Sequence, residues 1–296
     1  MEQKKLLCFG FGQVAKNFVK LLKIEKINFQ LSTTSREKTQ NKIFENIDYQ
    51  SFNFDEKKFD INLIKRLDEA SHILVSIPPV SESDIVIKNF KQNFKQKFKD
   101  KKKIKWITYL SATSVYGNHN GEWVDETSKT EPTSINGIER LKAEQSWIAL
   151  AEEYNLPLQI FRLSGIYSNQ FNILKRLKAG EVKIIKKKNQ FFSRIHVEDI
   201  AKILFKSLEH FKNREIYNIS DDRPASMEEV VKYATALIGC NEPKSIEIDE
   251  IQSTMLKNFY KDSKKVDNRK MKNFFNYKLK YSTYIKGLNY INNNII

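Results

Sequence analysis

The sequence predicts an α/β fold: a doubly wound parallel sheet with helices on both faces, followed by a smaller C-terminal lobe. Short apolar runs alternate with amphipathic stretches through the first half of the chain, which is typical of strands separated by helices. A turn with two glycines joins the first apolar run to the first helical stretch. Beyond about residue 240 the chain becomes polar and rich in lysine, which indicates a separate lobe.

Six strands are expected in the first part of the chain, at residues 5–9, 29–33, 49–54, 72–77, 104–110 and 158–163. Apolar residues at helical spacing predict helices after Gly12 and over residues 64–70, 84–98 and 138–149. In the second half we expect a helix over 197–211, a strand over 217–219, and a helix that opens with a capping box of Ser226 and Glu229 and ends near Gly239. The predicted domains are residues 1–166, with 196–220 returning to the sheet, and a smaller substrate lobe over 167–296.

Composition excludes several classes of protein. With 40% apolar and 12% aromatic residues among 296, the chain is not a low-complexity disordered protein. Cys8 and Cys240 are the only cysteines, so it is not a disulfide scaffold, and they fit a reducing cytoplasm. The most apolar run, residues 73–80, contains two prolines and is far shorter than the roughly 18 residues of a membrane-spanning helix.

The chain is strongly basic, with a net charge of +15 from 51 Lys and Arg against 36 Asp and Glu. Only nine of the 51 are arginine, the residue on which bidentate recognition of bases and phosphates depends. We therefore expect no specific nucleic-acid partner and interpret the excess as a lysine-rich solvated surface. Part of it can steer an anionic cofactor or substrate. A basic nucleic-acid binder remains an alternative only if the lysines lie on one face.

The segment Gly10-Phe11-Gly12-Gln13-Val14-Ala15 follows a predicted strand and opens a predicted helix. This G-x-G-x-x-A pattern is typical of the first turn of a Rossmann-type fold, where it binds the pyrophosphate of a dinucleotide. The first glycine permits the tight turn, the second lets the phosphate approach the backbone, and Ala15 allows the helix to pack closely. We expect Gly10, Phe11, Gly12 and Gln13 to bind the cofactor at the helix N-terminus.

The end of the second strand indicates which cofactor is preferred. NAD-binding folds usually place an acid about 20 residues beyond the glycines, where it bonds the ribose 2′-hydroxyl. Here Thr34, Ser35 and Arg36 stand there, and no acid precedes Glu37. Because Arg36 suits a 2′-phosphate, we expect NADP rather than NAD. Further cofactor-site residues are expected at later strand ends, namely Ser76, Ile77, Pro78, Ser111, Ala112 and Thr113.

Four later segments resemble an extended short-chain dehydrogenase/reductase, of the NAD-dependent epimerase/dehydratase-like superfamily. They are residues 109–117 (Tyr-Leu-Ser-Ala-Thr-Ser-Val-Tyr-Gly), 132–144, 161–167 and 194–201 (Arg-Ile-His-Val-Glu-Asp-Ile-Ala). The resemblance implies an NAD(P)-binding enzyme that acts on a sugar-nucleotide or a small carbonyl compound.

In that superfamily a hydroxyl residue polarises the substrate carbonyl, and a Tyr-x-x-x-Lys pair supplies the acid/base and its support. The resemblance places the hydroxyl at Ala112, the Tyr at Asn136 and the Lys at Arg140, so this chain departs at all three. Asn cannot move a proton near neutral pH and Ala has no hydroxyl, whereas Arg140 can still grip the ribose. A shift of one residue puts Ser111 or Thr113 in the hydroxyl role, and His119 or, less favoured, His196 is a candidate proton donor.

Two functions follow from these patterns. The first is a cytoplasmic NAD(P)-dependent oxidoreductase or epimerase/dehydratase-like enzyme, in which the usual Ser, Tyr and Lys are replaced and Ser111, Thr113, His119 and Arg140 are the catalytic candidates. The alternative is a catalytically silent dinucleotide-binding sensor or partner-binding protein. No metal-site spacing is present among His and Cys, no membrane partner is expected, and a homo-oligomer is left open.

Overall fold

A computed structural model of the chain describes residues 2–80, 84–99, 104–253, 256–257 and 260–295. The chain divides into two compact units of nearly equal length. The first contains the residues up to Ser111 together with Glu139–Phe161 and Ala201–Ile216, and the second contains Ala112–Ile138, Arg162–Ile200 and the residues from Tyr217 on. The division therefore differs from the predicted one, since residues 112–138 belong to the second unit and only 201–216 return to the first.

The main sheet has eight strands within the described residues, in the order β12-β8-β6-β5-β1-β2-β4-β3. These strands are β1 (Lys4–Phe9), β2 (Phe29–Ser35), β3 (Gln40–Phe44), β4 (Ile47–Asn53), β5 (His72–Val75), β6 (Trp106–Ala112), β8 (Leu158–Leu163) and β12 (Glu215–Ile219). Strand β1 pairs in parallel with β2 and β5, and parallel pairing continues from β2 to β4 and from β5 to β6. The predicted doubly wound parallel sheet is thus confirmed.

The helices whose bounds are described lie between these strands and after them along the chain. They are α1 (Gln13–Ile24), α2 (Asn62–Glu69), α3 (Ile85–Lys99), α4 (Ile135–Glu153), α5 (Ile173–Lys178), α6 (Val197–Lys206), α7 (Met227–Ile238), α8 (Arg269–Phe274) and α9 (Tyr284–Ile295). Helix α6 ends five residues before its predicted end at residue 211. The Ser207 hydroxyl donates to the Leu204 carbonyl at 2.8 Å, a local bond that competes with continuation of the helix.

The central strands of the main sheet are apolar on both faces, as a sheet covered on both sides requires. One apolar cluster of the first unit joins three of these strands to helices α3 and α4. Buried residues Phe9, Val75 and Tyr109 of three neighbouring strands pack with Phe90 of α3 and Trp147 of α4. Each such side chain removed from water contributes about 1.5–3 kcal/mol, so this cluster holds helices α3 and α4 against the strands.

The sheet edge contains a strand that the sequence analysis missed. Strand β3 pairs antiparallel with β4, from Gln40 opposite Ser51 to Phe44 opposite Ile47. The hairpin turns at Glu45 and Asn46, whose φ values of 51° and 58° are those of the tight turn that matches strand twist. Strand β3 carries exposed polar residues, which protect an edge strand from further pairing but give little apolar signal in the sequence.

The second unit contains short strands and its own apolar core. Among its described residues, two-stranded parallel sheets pair β7 (Trp123–Val124) with β14 (Lys265–Val266), β9 (Gly165–Tyr167) with β11 (Arg194–His196), and β10 (Ile184–Lys186) with β13 (Ser245–Glu247). Buried Leu174, Val230 and Ile291 pack α5, α7 and α9 together.

The predicted cap of α7 is half confirmed. The Ser226 hydroxyl accepts from the Glu229 N–H at 3.0 Å, as predicted. The reciprocal bond of a capping box is replaced, because the Glu229 carboxylate accepts from Arg223 and from the Tyr284 hydroxyl, each at 2.9 Å.

Candidate functional site

The turn between β1 and α1 is clamped between the ends of two neighbouring strands. Gly10 has a φ of 87°, and a Cβ there would lie 2.6 Å from the Ile77 side chain and 2.9 Å from the Ser76 hydroxyl oxygen. The Gly10 N–H donates to the Thr34 hydroxyl at 2.9 Å. Only glycine fits this position, as the pattern predicted, and the contacts fix where the turn lies relative to β2 and β5.

Gly12 stands at the N-terminus of α1 and faces open space. A Cβ built on it would meet no described atom within 4 Å. Its φ of −81° is ordinary, and no side chain caps the helix. The first N–H groups of this 12-residue helix are therefore available to an anion, and the positive end of the helix dipole favours one.

The neighbouring side chains of the same turn have different partners. The buried Gln13 side-chain oxygen has no hydrogen-bond partner in the described part of the chain, so it is available to a ligand beside the helix N-terminus. Phe11 turns away to the hairpin, where its ring centroid lies 5.4 Å from that of Phe44 and 5.1 Å from that of Tyr49. These aromatic contacts attach the turn to strands β3 and β4.

The end of β2 places the three residues predicted for cofactor specificity in different surroundings. Thr34 is 2% exposed and uses its hydroxyl to hold Gly10, which makes it a positioning residue of the turn. The Ser35 hydroxyl accepts from that of Ser51 at 3.2 Å. Arg36 is exposed, and its side chain forms no ion pair among the residues that the structure describes.

Glu37, the first acid after β2, is engaged by the hairpin. Its Oε2 atom accepts from Lys42 Nζ at 2.6 Å and from Gln40 Nε2 at 3.0 Å. The Lys42 hydrogen bond lowers the pKa of Glu37, and the same bond raises the pKa of Lys42. These two partners were missed because β3 was not predicted. No sequence signal marks the hairpin, because the turn residues Glu45 and Asn46 are not one of the glycine-containing pairs that favour such a turn.

The end of β5 supports the glycine turn. The Ser76 hydroxyl lies 3.1 Å from both the Phe9 and the Gly10 carbonyl oxygens, to which it donates. Ile77 is half-buried against Gly10 and Pro78 is exposed. Within the first unit, Ser76 and Ile77 of this strand end and Thr34 of β2 therefore hold Gly10, the residue two positions before Gly12.

Ser111 and Arg140 lie at the carboxyl end of β6 in the first unit. Ser111 is 3% exposed, and its hydroxyl has no hydrogen-bond partner among the described residues. Arg140 donates from Nη1 to the Leu110 carbonyl at 2.9 Å, which draws its guanidinium to the end of the strand. Burial raises the pKa of nearby Tyr109, so its hydroxyl stays protonated at neutral pH.

The remaining catalytic candidates belong to the second unit. Ala112 ends β6 and Thr113 opens a short 3₁₀ turn, while Asn136 is exposed near the start of α4. His119 Nε2 lies 3.1 Å from the Tyr116 carbonyl oxygen and 3.2 Å from that of Lys129. Since both are acceptors, Nε2 carries the proton, and only Nδ1 can accept one from a substrate.

His196 is a buried structural residue of the second unit. Its ring is 0% exposed and lies between Tyr167 and Tyr281, with centroids at 5.0 and 4.0 Å. Burial lowers its pKa to about 4, so the imidazole is neutral at pH 7. These ring contacts favour a packing role for His196.

Two kinds of feature are absent from the described residues. No group of three or more His, Cys, Asp or Glu there could hold a metal ion. Within the same ranges, every helix is too short or too polar to cross a membrane.

Comparison with known proteins gives one family match. Residues 97–220 match the model of the NAD dependent epimerase/dehydratase family. No curated protein sequence matches the chain significantly.

Among solved structures, a functionally unknown conserved protein from Silicibacter pomeroyi is 31% identical, with 99% of each chain covered and a TM-score of 0.85. UDP-glucuronic acid 4-epimerase from Bacillus cereus, in complex with UDP-glucuronic acid and NAD, is 17% identical over 99% of each chain, with a TM-score of 0.73. The dTDP-glucose 4,6-dehydratase from Bacillus anthracis, in complex with NAD, is 16% identical over 99% of this chain and 96% of that one, with a TM-score of 0.72. The last two similarities concern the fold alone.

Proposed function

Because the chain belongs to the NAD-dependent epimerase/dehydratase family of extended short-chain dehydrogenases/reductases, we propose that it is an NAD(P)-dependent enzyme with an altered catalytic set. Its substrate would be a sugar-nucleotide, such as those bound by the Bacillus cereus relative, or a small carbonyl compound. The observation that carries this proposal is the open space at Gly12, beside an uncapped helix N-terminus.

The residues of the first unit fit a dinucleotide. A pyrophosphate needs backbone N–H groups that it can approach closely, and Gly12 leaves that approach open. Gln13 adds a buried oxygen without a partner in the described residues, suited to a donor group of the ligand. Gly10, Thr34 and Ser76 hold the turn in place through their mutual hydrogen bonds and contacts.

We favour NADP over NAD as the cofactor. Arg36 is exposed at the end of β2, without an ion pair in the described residues, so its guanidinium is available to a 2′-phosphate. Glu37, which could otherwise bond a ribose 2′-hydroxyl, already accepts from Lys42 and Gln40. Both observations favour the extra phosphate. The matching test is Arg36→Ala, which should abolish a preference for NADPH over NADH in a binding titration.

In the proposed catalytic set, Ser111 and Arg140 have different roles. When bound, the nicotinamide would accept and return a hydride. Arg140 would hold the adjoining ribose, from a position fixed by its bond to the Leu110 carbonyl. The Ser111 hydroxyl, buried and without a partner in the described part of the chain, would donate to a substrate carbonyl. In the second unit, Thr113 remains the alternative hydroxyl residue and His119 Nδ1 a candidate for proton transfer.

A catalytically silent dinucleotide-binding protein is the second candidate. Asn136 favours it, since an exposed amide at the position of the usual Tyr can neither donate a proton and recover it nor be tuned by Arg140. Ala112 favours it as well, because it offers no hydroxyl. Such a protein would bind the dinucleotide through the same turn and report its concentration to a partner.

Turnover by the unaltered protein, compared with turnover by Ser111→Ala, separates the two candidate functions. The unaltered protein should oxidise NADPH, or interconvert nucleotide sugars, in a screen of UDP-sugars and small aldehydes and ketones, and Ser111→Ala should lose at least about tenfold in kcat. The Ser111 hydroxyl has no partner to lose in the described residues, so we expect the variant to fold normally. Binding without turnover across the screen would contradict the enzyme and support the silent protein.

A further inference from the structure

We infer that Lys42, on the edge strand β3, helps to set the cofactor preference of the first unit by engaging the Glu37 carboxylate. The inference rests on the proposed binding of NADP at the turn between β1 and α1. It concerns the β3–β4 hairpin, to which the proposed function assigns no other role. Lys42 would thus be a positioning residue, which acts through Glu37 rather than by touching the cofactor.

Glu37 stands where an acid would change the choice of cofactor. It lies two residues beyond the end of β2 at Ser35, directly after Arg36. A carboxylate near this strand end accepts from the ribose 2′-hydroxyl of NAD and repels the 2′-phosphate of NADP. An acid beside Arg36 therefore works against a preference for NADP unless its charge is engaged elsewhere.

The hairpin engages Glu37 through both its side chain and its backbone. Gln40 and Lys42 are two residues apart on β3, so they share one face of the strand, and both donate to Glu37 Oε2. From β4, Asn53 Nδ2 donates to the Arg36 carbonyl at 3.1 Å and to the Glu37 carbonyl at 3.0 Å. Strand β4 thus fixes the main chain and strand β3 fixes the carboxylate.

The solvent exposure of the Lys42–Glu37 ion pair limits how much Lys42 can change the cofactor preference. The Lys42 and Glu37 side chains are 31% and 63% exposed, and ion pairs at such sites are weak. Gln40 also keeps its bond to Glu37 when Lys42 is replaced. We therefore expect a several-fold change in preference on removal of Lys42, and a complete reversal only when Arg36 is lost as well.

Lys42→Met tests the inference through binding rather than turnover. The Kd values of NADPH and NADH are measured by nicotinamide fluorescence, and the ratio of the two affinities should fall about 3- to 10-fold in favour of NADH. The matched control is Lys20→Met, which removes another exposed ion pair to the same hairpin, Lys20 to Glu45 at 3.0 Å, and should leave the ratio unchanged. Equal melting temperatures for both variants exclude a folding defect.

A double-mutant cycle with Glu37→Gln shows whether Lys42 acts through Glu37. In the Glu37→Gln background, Lys42→Met should no longer change the ratio. A ratio that still falls in that background would overturn the inference and assign Lys42 to direct contact with the phosphate. If the unaltered protein prefers NADPH but Lys42→Met leaves the ratio unchanged, the inference alone fails. If the unaltered protein binds neither dinucleotide, the proposed function fails and the inference fails with it.

Discussion

Gly12 in the turn after β1 faces open space, whereas Gly117 in the segment after β6 faces the backbone of its own unit. A Cβ on Gly12 would meet no described atom within 4 Å, but one on Gly117 would lie 1.8 Å from the Glu131 carbonyl oxygen. Gly137 resembles Gly117, with the Ser114 carbonyl oxygen 2.7 Å from its Cβ position. Glycine therefore leaves open space at position 12 and makes room for the chain itself at positions 117 and 137.

The polar groups of the two regions differ in the same way. In the first unit, the Gln13 side-chain oxygen of the turn and the Ser111 hydroxyl at the end of β6 are buried without partners in the described residues. In the segment after β6, the Tyr116 hydroxyl donates to Asn218 at 2.7 Å, and His119 Nε2 bonds two backbone carbonyls. The proposed function accordingly assigns the dinucleotide to the first turn and not to the segment after β6.

Substitution of Gly117 should have the largest effect on stability. Gly117→Ala introduces a Cβ into the Glu131 backbone at a φ of 71°, which side chains rarely adopt. We expect a loss of at least about 3 kcal/mol in the free energy of unfolding, measured by urea denaturation. A loss below about 1 kcal/mol would show that the backbone around Gly117 can shift to accept a Cβ. The contrast between the occupied Cβ position at Gly117 and the open one at Gly12 would then no longer hold.

The free energy of unfolding, measured over a pH series, tests the burial of His72 in the first unit. Burial lowers the pKa of His72 to about 4 from 6.5, so between these values the unfolded chain binds more protons than the folded one. Its contribution to stability is present above pH 6.5 and is lost as the pH falls towards 4, by about 2–3 kcal/mol.

The variant His72→Phe keeps a ring beside Trp106, whose centroid is 6.2 Å away, and removes the titration. Its unfolding free energy should fall less between pH 6.5 and 4 than that of the unaltered protein, by the same about 2–3 kcal/mol. His196, with the same depressed pKa, is present in both proteins and cancels from the difference. Equal slopes in the two proteins would contradict the assigned shift.

Gly137→Ala should have a smaller effect than Gly117→Ala. Gly137 has no positive φ and lies in α4, where alanine is the better helix former by roughly 0.5–1 kcal/mol. Its Cβ position nevertheless lies 2.7 Å from the Ser114 carbonyl oxygen and 2.8 Å from Pro132 Cβ. We expect a net loss of about 1–2 kcal/mol, seen as a lower melting temperature. A raised melting temperature would show that the helix end is loosely packed.

The sequence predicted what depends on local chain geometry. The glycine turn was found because its two glycines, the strand before it and the helix after it are all close in sequence. Strand β8 was predicted with its observed bounds, since a continuous apolar run marks a buried strand. The Ser226 cap of α7 was found for the same reason, from residues three apart.

What the sequence did not predict depends on contacts between distant residues. Strand β3 is polar and exposed, so neither its apolar pattern nor its composition distinguishes it from a loop. Without β3, the engagement of Glu37 by Lys42 could not be predicted, and Arg36 had to be interpreted alone. Similarly, the bond from Arg140 to the Leu110 carbonyl joins residues 30 apart, which no local pattern indicates.

The dinucleotide affinity of Gly12→Ala tests the central claim most directly. Gly12 has an ordinary φ of −81° and an empty Cβ position, so the variant should lose no more than about 0.5 kcal/mol of stability. The added methyl occupies the proposed pyrophosphate site, and the Kd for NADPH should rise at least about tenfold. Gly137→Ala serves as the matched control, which should lose stability but keep its affinity. An unchanged Kd in Gly12→Ala, with the control behaving as expected, would contradict binding at this turn.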